Sequence, residues 1–392
     1  MTMATETVST EESVAPCSDY CIEPVIGAGE RLEFVRFGRQ LYRADPHHRC
    51  MPDLLNWDRL RPGGNPWFEH GEAQLFVARR GGEIVGRISA QVDREHLRVH
   101  DDQTGFFGFF ECVDDAAVAQ QLLRVAEDWC RARGMRRIRG PFSFSINEES
   151  GLLVQGFDTP NYVMMPHGRP YYERLIRGAG YDGVQDLFAW RYERQRPPKS
   201  AQQIADAVAE HPGLRIRCLD KSRMDEELQI ITSIFNEAWS KNWGFVPLTE
   251  AEIRELAKQF QLIADPELCL IAEVEGEPAA MAVALPNIYE SMADLDGRLL
   301  PFGWAKLLFR LKKSPPQTFR QLLLGVREKF RGSKLGGLSV LLYVEIFRNG
   351  LRKGYQAAEA SWTLADNAGI NQGMEFMGAE HYKTYRIFEK CL

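Results

Sequence analysis

Apolar and polar positions alternate along the chain in two consecutive series of predicted strands and helices. In the first series, residues 73–80 and 83–92 are runs of strand-forming residues on either side of a glycine pair, which is the pattern of a β-hairpin. Residues 104–112 read TGFFGFFEC and predict an aromatic strand. The apolar spacing of residues 116–133, which follow two aspartates, predicts a long capped helix. Residues 185–192 predict the last strand of this series.

The second series repeats the order of the first. Residues 269–274 and 279–285 predict another hairpin, with a Glu-Gly-Glu turn between them. The apolar run at residues 318–326 predicts a buried strand, and residues 337–352 predict a helix with one apolar face. A further strand, a helix and a final strand at residues 382–389 complete the series.

The two series match each other, and their hairpins align with Gly82 on Gly276 and Glu83 on Glu277. A chain of 392 residues is also longer than one ordinary core supports. We therefore predict an α/β fold of two tandem mixed-sheet domains. The predicted parts are a disordered acidic tail (residues 1–21), a first domain (22–193), a polar proline-rich linker (194–212) and a second domain (213–392) that alone contains an inserted segment (286–316).

The turn between the predicted strand 318–326 and the predicted helix 337–352 carries candidate chemistry. Its residues 331–336 read Arg-Gly-Ser-Lys-Leu-Gly and are called the RGSKLG loop below. Free backbone N–H groups at a helix start, the positive end of the helix dipole and two cationic side chains would converge there, as a phosphate group requires. The alternative is a solvated loop that carries Arg and Lys without a ligand, and spacing alone does not decide between the two.

Composition excludes several classes of protein. The net charge of −6 and the 26% of charged residues are typical of a globular protein without the basic field that binds nucleic acid. The chain has no uncharged apolar run of about 18 residues, the least that spans a bilayer, and its first segment is too polar for a secretory signal. Eight cysteines without a CxxC pair favour free thiols and no metal site. We therefore expect a cytoplasmic protein.

The inserted segment contains a basic amphipathic stretch, residues 299–313. The stretch has an apolar side (Trp304, Leu307, Leu308, Leu311) and a basic side (Lys306, Arg310, Lys313). This composition is typical of a helix in a membrane interface, so we predict peripheral contact with the inner membrane face. A helix that packs on the core while its cations reach the solvent is the alternative.

The order of the predicted elements resembles the GNAT superfamily of acyl-CoA-dependent N-acyltransferases, over nearly the whole chain after residue 22. That order is a helix pair, a hairpin, a strand that runs into a phosphate-loop helix, and then strand, helix and strand. The resemblance implies two GNAT-like domains in tandem. The family's pyrophosphate loop reads Q/R-x-x-G-x-G/A; Arg331 and Gly336 match its first and last positions, whereas Lys334 replaces its middle glycine.

The resemblance implies that the second domain binds acyl-CoA as a cosubstrate. The implied ligands are Leu324, Gly325 and Val326 for the pantetheine arm, Arg331, Gly332, Ser333, Lys334 and Gly336 for the pyrophosphate, and Asn367 after the following strand. The equivalent stretch of the first domain, residues 111–116, is acidic and has no glycine, so it would repel a pyrophosphate. We therefore expect one acyl-CoA site, in the second domain.

Candidate catalytic carboxylates lie in the first domain, where a predicted strand ends in Asn147-Glu148-Glu149. An alkyl ammonium with a pKa near 10.4 is about 3.4 units from neutral pH, so freeing its lone pair costs about 4–5 kcal/mol. We predict Glu148 or Glu149 as the general base, with Asn147 orienting it; a turn-capping sequence is the alternative. The resemblance also makes Tyr382 and Tyr385 candidates to protonate the departing CoA thiolate, and strand aromatics that face the core are the alternative.

The predicted function is the transfer of an acyl group from acyl-CoA to a primary amine. The stretch 299–313 and the aromatic strand 104–112, which could wall an acyl channel, favour a lipid substrate. The size of the chain and its tandem GNAT-like organisation resemble those of enzymes that N-acylate a sphingoid base, which implies a long-chain amine of the sphingoid type as the acceptor. Burying ten methylenes would contribute roughly 8 kcal/mol, so such a channel would dominate specificity. Two alternatives stay open: an acetyltransferase for a small polar amine or a peptide, and a non-catalytic acyl-CoA-binding module.

Overall fold

The computed structural model describes residues 19–193, 196–332 and 335–392, and all of their side chains except that of Phe260. Within these ranges, thirteen strands form one mixed sheet with helices on both of its faces. The predicted α/β class is therefore confirmed.

The bounds of the elements follow in chain order. The strands are β1 (Tyr20–Pro24), β2 (Gly71–Arg80), β3 (Glu83–Asp93), β4 (Thr104–Cys112), β5 (Arg137–Gly140), β6 (Leu152–Gln155), β7 (Asp182–Glu193), β8 (Leu214–Cys218), β9 (Cys269–Val274), β10 (Glu277–Pro286), β11 (Thr318–Val326), β12 (Ala357–Leu364) and β13 (Glu380–Cys391). The α-helices are α1 (Ala28–Leu41), α2 (Asp53–Arg59), α3 (Arg94–His100), α4 (Ala116–Arg131), α5 (Tyr172–Gly178), α6 (Lys199–Ala209), α7 (Met224–Trp239), α8 (Glu250–Ile263), α9 (Tyr289–Met292), α10 (Gly303–Lys313), α11 (Leu338–Lys353) and α12 (Ala368–Phe376). Short 3-10 helices lie at Pro66–Glu69, Lys221–Arg223, Pro266–Leu268 and Glu328–Phe330.

The sheet has two similar halves. Its strands follow the order β1-β2-β3-β4-β5-β13-β7-β12-β11-β10-β9-β8, and β6 pairs with β13 outside this path. The two predicted hairpins, β2-β3 and β9-β10, are both present, one in each half. Each is followed by an antiparallel third strand, which then pairs in parallel with the next one, as β4 with β5 and β11 with β12. The two predicted tandem domains therefore share one continuous sheet.

The two halves exchange their last strands at the middle of the sheet. β13 inserts between β5 and β7, while β7 inserts between β13 and β12. The exchanged strands are antiparallel partners from Glu380 opposite Arg191 to Glu389 opposite Asp182. The predicted domains, 22–193 and 213–392, therefore need a correction, because each half-sheet is completed by the last strand of the other half. Strand patterns are local, whereas the choice of a pairing partner depends on distant contacts.

Two further boundaries differ from the prediction. Tyr20 and Cys21, assigned to the disordered tail, pair with β2 as part of β1, because an edge of the sheet offers them hydrogen bonds; residues 1–18 lie outside the described ranges. The predicted linker 194–212 contains α6, whose apolar face packs on α11. Apolar residues recur at helical spacing in this segment, at Ala201, Ala205 and Val208, so it forms a helix although it begins with prolines.

Helices cover both faces of the sheet. On one face, α4 and α5 pack on the first half, while α6 and α11 pack on the second. On the other face, α1 and α2 cover the first half, and α7 and α8 cover the second. A further apolar cluster joins the halves: it holds Phe142 and Ile146 from the first, and Val246 and Leu364 from the second. The junction is therefore a packed core.

Helix α10 forms the exposed part of the inserted segment. None of its residues is buried, so the alternative of a core helix does not hold. More than half of the surface is exposed in Leu300, Phe302, Trp304, Leu308 and Phe309. Leu307 packs on the cluster of α9, and Lys306 and Arg310 both pair with Asp294, which neutralises part of the predicted basic side. Among the described residues, no helix combines the length and the apolar character needed to cross a membrane.

Candidate active site

The parallel strands β11 and β12 separate partway along their length. Residues 318–321 pair with residues 357–360, but β11 continues to Val326 while β12 continues beside β7. Leu324, Gly325 and Val326 pair with β10 on one edge, and on the other edge they have no strand partner among the described residues. An extended ligand can add to such an edge through main-chain hydrogen bonds. The GNAT resemblance implies that these same three residues contact the pantetheine arm.

The end of α7 lies directly over Gly325. A Cβ atom at this position would be 2.5 Å from the ring of Trp239 and 3.2 Å from the Cβ of Ala238. Because contacts below about 3 Å force neighbouring atoms to move, a larger residue at Gly325 cannot coexist with this helix position. The open strand is therefore covered on one face by α7.

We expect Gly325→Val to weaken the binding of palmitoyl-CoA roughly tenfold or more, because the added side chain displaces Trp239 from the open strand. Isothermal titration measures the affinity. Gly373→Val on α12 is the matched control, since no heavy atom lies within 4 Å of a Cβ there. Equal affinities in the two variants would show that the ligand does not use this strand.

The two halves differ at the helix that follows the open strand. In the second half, Gly337 is the N-cap of α11, and among the described residues no side chain caps the first amides of this helix. Such amides can bind an anion. In the first half, the Asp115 carboxylate accepts from the first amides of α4. The opening beside β4 is also filled by the chain itself, as Phe142 N donates to Phe107 O at 2.9 Å. Within the described residues, the helix start beside the open strand is therefore closed in the first half and without a side-chain cap in the second.

The described residues of the RGSKLG loop lie beside this helix start. Arg331 Nε donates to Val326 O at 2.8 Å, and its Nη2 donates to Ala238 O at 3.1 Å. These bonds fix the guanidinium between the open strand and α7 and leave its other donors for a ligand. Gly332 and Gly336 are exposed. Two predicted ligands lie outside the described residues: Ser333 and Lys334.

Asn367 lies just beyond the end of β12, at the edge of the sheet where β11 also ends. Its Oδ1 accepts from the amide of Ile370 at 3.3 Å, which makes Asn367 the N-cap of α12. The amide nitrogen of its side chain is a separate donor that this cap does not use.

Glu148 and Glu149 share one arginine that sequence reasoning missed. Arg59 Nε donates to Glu148 Oε2 at 2.6 Å, Nη1 lies 3.4 Å from Glu149 Oε2, and Nη2 donates to Ser143 O. Burial lowers the pKa of Arg59, but the two carboxylates outweigh burial and raise it. Burial raises the pKa of Glu148, and Arg59 opposes this rise. Glu149, the less tightly held of the two, lines a cavity of about 110 Å³.

The side chain of Asn147 contacts the second half of the protein. Its Nδ2 donates to the main-chain oxygen of Val246 at 3.0 Å, and the neighbouring Ile146 packs with Val246 at the junction of the halves. Val246 follows α7, the helix that covers the open strand. The hydrogen bond therefore ties the loop of the two glutamates to the second half.

A buried carboxylate, Glu359, lies where β11 and β12 separate. The Tyr382 hydroxyl donates to its Oε2, Ser361 Oγ donates to its Oε1, and its cross-strand partner Arg320 has Nε 3.8 Å from Oε1. The Tyr385 hydroxyl is buried without a hydrogen-bond partner in the described part of the chain. Burial, and then the charge of Glu359, raise the pKa of both tyrosines far above its usual value. Both hydroxyls therefore keep their protons at neutral pH.

The rings of Tyr382 and Tyr385 also pack in the cluster that joins the halves, so the alternative of core aromatics holds for the rings but not for the hydroxyls. Glu359 and Arg320 were missed as site residues. The sequence could have pointed to both. Glu359 is the one charged residue of β12, AAEASWTL, and Arg320 is the one charged residue of β11, TFRQLLLGV. Charged residues in buried strands need partners, and adjacent strands supply them.

An open strand that leads into a helix whose start no described side chain caps, beside a second copy whose opening is filled, is the arrangement of a tandem GNAT fold, the class of acyl-CoA-dependent N-acyltransferases. The chain is 42% identical over 377 residues to the bacterial ceramide synthase of Caulobacter vibrioides. The alignment covers 96% of this chain and 98% of that protein. It therefore belongs to the bacterial ceramide synthase family, and it is an N-acyltransferase that uses acyl-CoA.

Two further comparisons agree with this assignment. Protein YghO of Escherichia coli is 42% identical over 360 residues, which is 91% of this chain and 92% of that protein. A solved tandem GNAT protein from the clavulanic acid biosynthesis pathway aligns over 95% of this chain and 98% of its own chain, with a TM-score of 0.56. The two sequences are only 13% identical, so this comparison shows a similar fold and no more. No model of a known protein family matches the chain. Within the described residues, no three His, Cys, Asp or Glu side chains cluster as a metal site.

Proposed function

We propose that the protein transfers a long acyl chain from acyl-CoA to the amine of a long-chain, sphingoid-type base. The observation that carries this proposal is that, in the part of the chain that the structure describes, the second half alone has an open strand beside a helix start without a side-chain cap. The first half is then left for the acceptor. The printed name of the Caulobacter relative, matched over nearly the whole of both chains, supports the class of acceptor.

The cofactor lies across the open end of the second half. Its pantetheine arm pairs with the free edge at Leu324, Gly325 and Val326, and its pyrophosphate binds at the RGSKLG loop and the first amides of α11. Asn367 faces the same ligand from the end of β12. Each charge-assisted hydrogen bond contributes roughly 1.5–3 kcal/mol, so a few of them hold the pyrophosphate.

The reaction is direct attack of the amine on the thioester. Glu149 takes a proton from the ammonium, and the freed lone pair attacks the carbonyl carbon. The C–N bond forms and the C–S bond breaks. Tyr385 donates its proton to the departing thiolate, and the new amide nitrogen gives up a proton that restores the Tyr385 hydroxyl. Glu149 finally releases its proton to solvent. Tyr382, held by Glu359, is the second candidate donor.

One assay separates the candidate functions. The purified protein is incubated with palmitoyl-CoA and sphinganine, released CoA is measured with a thiol reagent, and the amide is identified by mass spectrometry. We expect one amide for each CoA released. Amide formation from acetyl-CoA and a small polar amine or a peptide, with none from the long-chain pair, would favour an acetyltransferase. Tight binding of palmitoyl-CoA without amide formation from any amine would favour a binding module and overturn the proposal.

The protein also contacts the inner face of the cytoplasmic membrane through α10. The exposed apolar side chains around Trp304 and Phe309 support this contact, since an interfacial helix buries such residues among lipid head groups. Lys312 and Lys313 are exposed and have no ion pair among the described residues. Each basic residue near an anionic bilayer contributes about 1 kcal/mol, so the bound lipid surface is anionic.

We expect the double variant Trp304→Glu/Phe309→Glu to lose most binding to vesicles of phosphatidylglycerol and phosphatidylethanolamine, roughly tenfold or more in co-sedimentation, because two charges then enter the apolar boundary. Leu262→Glu is the matched control, since Leu262 is 84% exposed on α8, outside the inserted segment. Equal binding of the double variant and the control would remove α10 from the membrane contact.

A further inference from the structure

A cavity of about 270 Å³ lies between the end of α1 and the inserted segment. Residues 42–50, which follow α1, form one side of this cavity, and residues 289–297, which contain α9 and lead toward α10, form the other. The two sides are tied together, because the amide of Asp53 donates to Gly297 O at 2.8 Å. One water molecule needs roughly 10–15 Å³, so the cavity has room for a phosphate group.

Three arginines line this cavity, and two of them have no carboxylate partner. Arg39 pairs with Asp53 and with Asp296, so its charge is compensated. Arg43 and Arg49 form no ion pair in the part of the chain that the structure describes. A positive charge away from bulk water needs a counter-charge, so the wall of the cavity favours an anion.

The other titratable groups of the wall do not supply that counter-charge. Asp296 already pairs with an arginine. Asp45 lies 3.1 Å from His167 Nε2 and 3.5 Å from Arg169 Nη1, so it too has its partners. Burial lowers the pKa of His48 to about 3, so this ring is neutral near pH 7. The wall therefore carries a net positive charge.

The guanidinium of Arg49 is held in place by the protein itself. Its Nη1 donates to Pro46 O at 2.7 Å and to His48 O at 2.9 Å. The buried side chain of Asn161 accepts from the amide of Arg49 at 2.8 Å and donates to its main-chain oxygen at 3.1 Å. Nε and Nη2, which form one edge of the guanidinium, have no hydrogen-bond partner among the described residues. Such an edge binds two oxygens of a phosphate at once.

The cavity also has an apolar part, which continues to α10. Tyr289 and Met292 line the cavity and pack in one apolar cluster with Leu307 of α10. The exposed apolar side chains around Trp304 and Phe309 lie on the same helix. A free phosphate ion gains nothing from apolar surface, whereas a phospholipid carries its phosphate next to its acyl chains. This combination favours a phosphate that belongs to a lipid.

We propose that this cavity binds the phosphate of an anionic phospholipid and thereby fixes the enzyme to the membrane at one defined point. The inference rests on the membrane contact of α10 in the proposed function, since that contact brings the cavity to the level of the lipid head groups. Basic pockets beside a membrane-binding segment are known to hold such head groups. The site is separate from the acyl-CoA site, which lies at the open strand of the second half.

Isothermal titration with a short-chain phospholipid tests the cavity apart from any bilayer. Dihexanoyl-phosphatidylglycerol, below its critical micelle concentration, is titrated into the full chain, and we expect it to bind. Inorganic phosphate should bind at least roughly tenfold more weakly, because it lacks the apolar part of the lipid. Equal affinities would indicate a site for free phosphate and would overturn the lipid assignment. So would the absence of any binding of the short-chain lipid.

The double variant Arg43→Met/Arg49→Met removes both uncompensated charges, and we expect it to weaken the binding of the short-chain lipid roughly tenfold or more. Arg124→Met/Arg215→Met is the matched control. These two arginines are exposed and without an ion pair among the described residues, on α4 and on β8. An equal loss of affinity in both double variants would reduce the effect to net charge and overturn the site.

A variant that keeps every charge tests the same cavity by volume. Ala293→Trp places a large side chain in the cavity wall, and we expect it to weaken the binding of the short-chain lipid roughly tenfold. Ala132→Trp is its control, because both alanines are exposed and both are the C-cap of a helix. Unchanged affinity in Ala293→Trp and in Arg43→Met/Arg49→Met would overturn the proposal.

Two further measurements separate this proposal from the proposed function. Trp304→Glu/Phe309→Glu should lose vesicle binding but keep the binding of the short-chain lipid; loss of both would assign the lipid to α10 and overturn the cavity site. Arg43→Met/Arg49→Met should still acylate sphinganine dispersed in detergent at the wild-type rate, because the cavity takes no part in the chemistry. If no amine is acylated by the wild-type protein, the proposed function fails, while the lipid titration still decides the cavity.

Discussion

Glu149→Gln is expected to lower kcat for N-acylation of sphinganine by two to four orders of magnitude, about the contribution of a well-placed general base. The amide side chain keeps the size of Glu149 and can still approach Arg59, but it cannot accept the proton of the ammonium. Activity of the variant should then rise with pH toward the pKa of the amine, near 10.4, because solvent deprotonates the acceptor instead. A stopped assay of amide formation between about pH 6 and pH 10 measures both effects.

Glu148→Gln is the matched control for this measurement. Glu148 forms the shorter contact with Arg59, at 2.6 Å, and does not line the cavity, so we expect a much smaller loss of kcat. If Glu148→Gln shows the larger loss and the stronger pH dependence, the base is Glu148. If neither variant changes the pH dependence, the base lies elsewhere, with Glu359 as the next carboxylate to replace.

Arg59→Met is expected to lower the free energy of unfolding by up to about 3–5 kcal/mol, the cost of stranding a fully buried charge, because it leaves two partly buried carboxylates without their cation. Urea titration followed by tryptophan fluorescence measures the loss. The loss should shrink as the pH falls toward about 4, since the stranded carboxyl groups then bind protons in the folded state that they do not bind when unfolded.

Two variants check this explanation. Arg61→Met removes an exposed arginine that pairs with Asp58, and it should cost at most about 1 kcal/mol. The triple variant Arg59→Met/Glu148→Gln/Glu149→Gln removes the stranded charges together with the cation and should regain most of the lost stability. A triple variant as unstable as Arg59→Met alone would show that Arg59 acts through packing and not through charge.

Local patterns were sufficient to predict most of the elements. The hairpin around Gly81-Gly82 has both of its glycines at positive φ, a conformation that side chains disfavour, so the turn is visible in the residues themselves. The aromatic strand 104–112 was predicted with the bounds that the structure has. The contrast between the acidic first loop and the RGSKLG loop also needed no three-dimensional information, because the Asp115 carboxylate and a pyrophosphate compete for the same helix end.

Contacts between distant residues were not predictable in this way. Arg59 and Glu148 are 89 positions apart, and neither residue alone shows that it will be buried against the other. Arg320 and Glu359 become cross-strand partners only once β11 and β12 pair. The cavity that Glu149 lines is likewise built from separate segments, so no single stretch of sequence carries its pattern. These side chains belong to the parts of the candidate site that depend on tertiary structure.

The exchange of β7 and β13 has a consequence for synthesis of the protein. When the first half emerges from the ribosome, β5 faces an empty position, because its neighbour β13 is made last among the strands. β7 likewise cannot find its place before β12 exists. Neither half can therefore become a finished, independently folding unit, and separately expressed halves would expose unpaired edges that invite aggregation. Acyl transfer can therefore begin only after β13 has been translated, and we expect the nascent chain to be inactive until then.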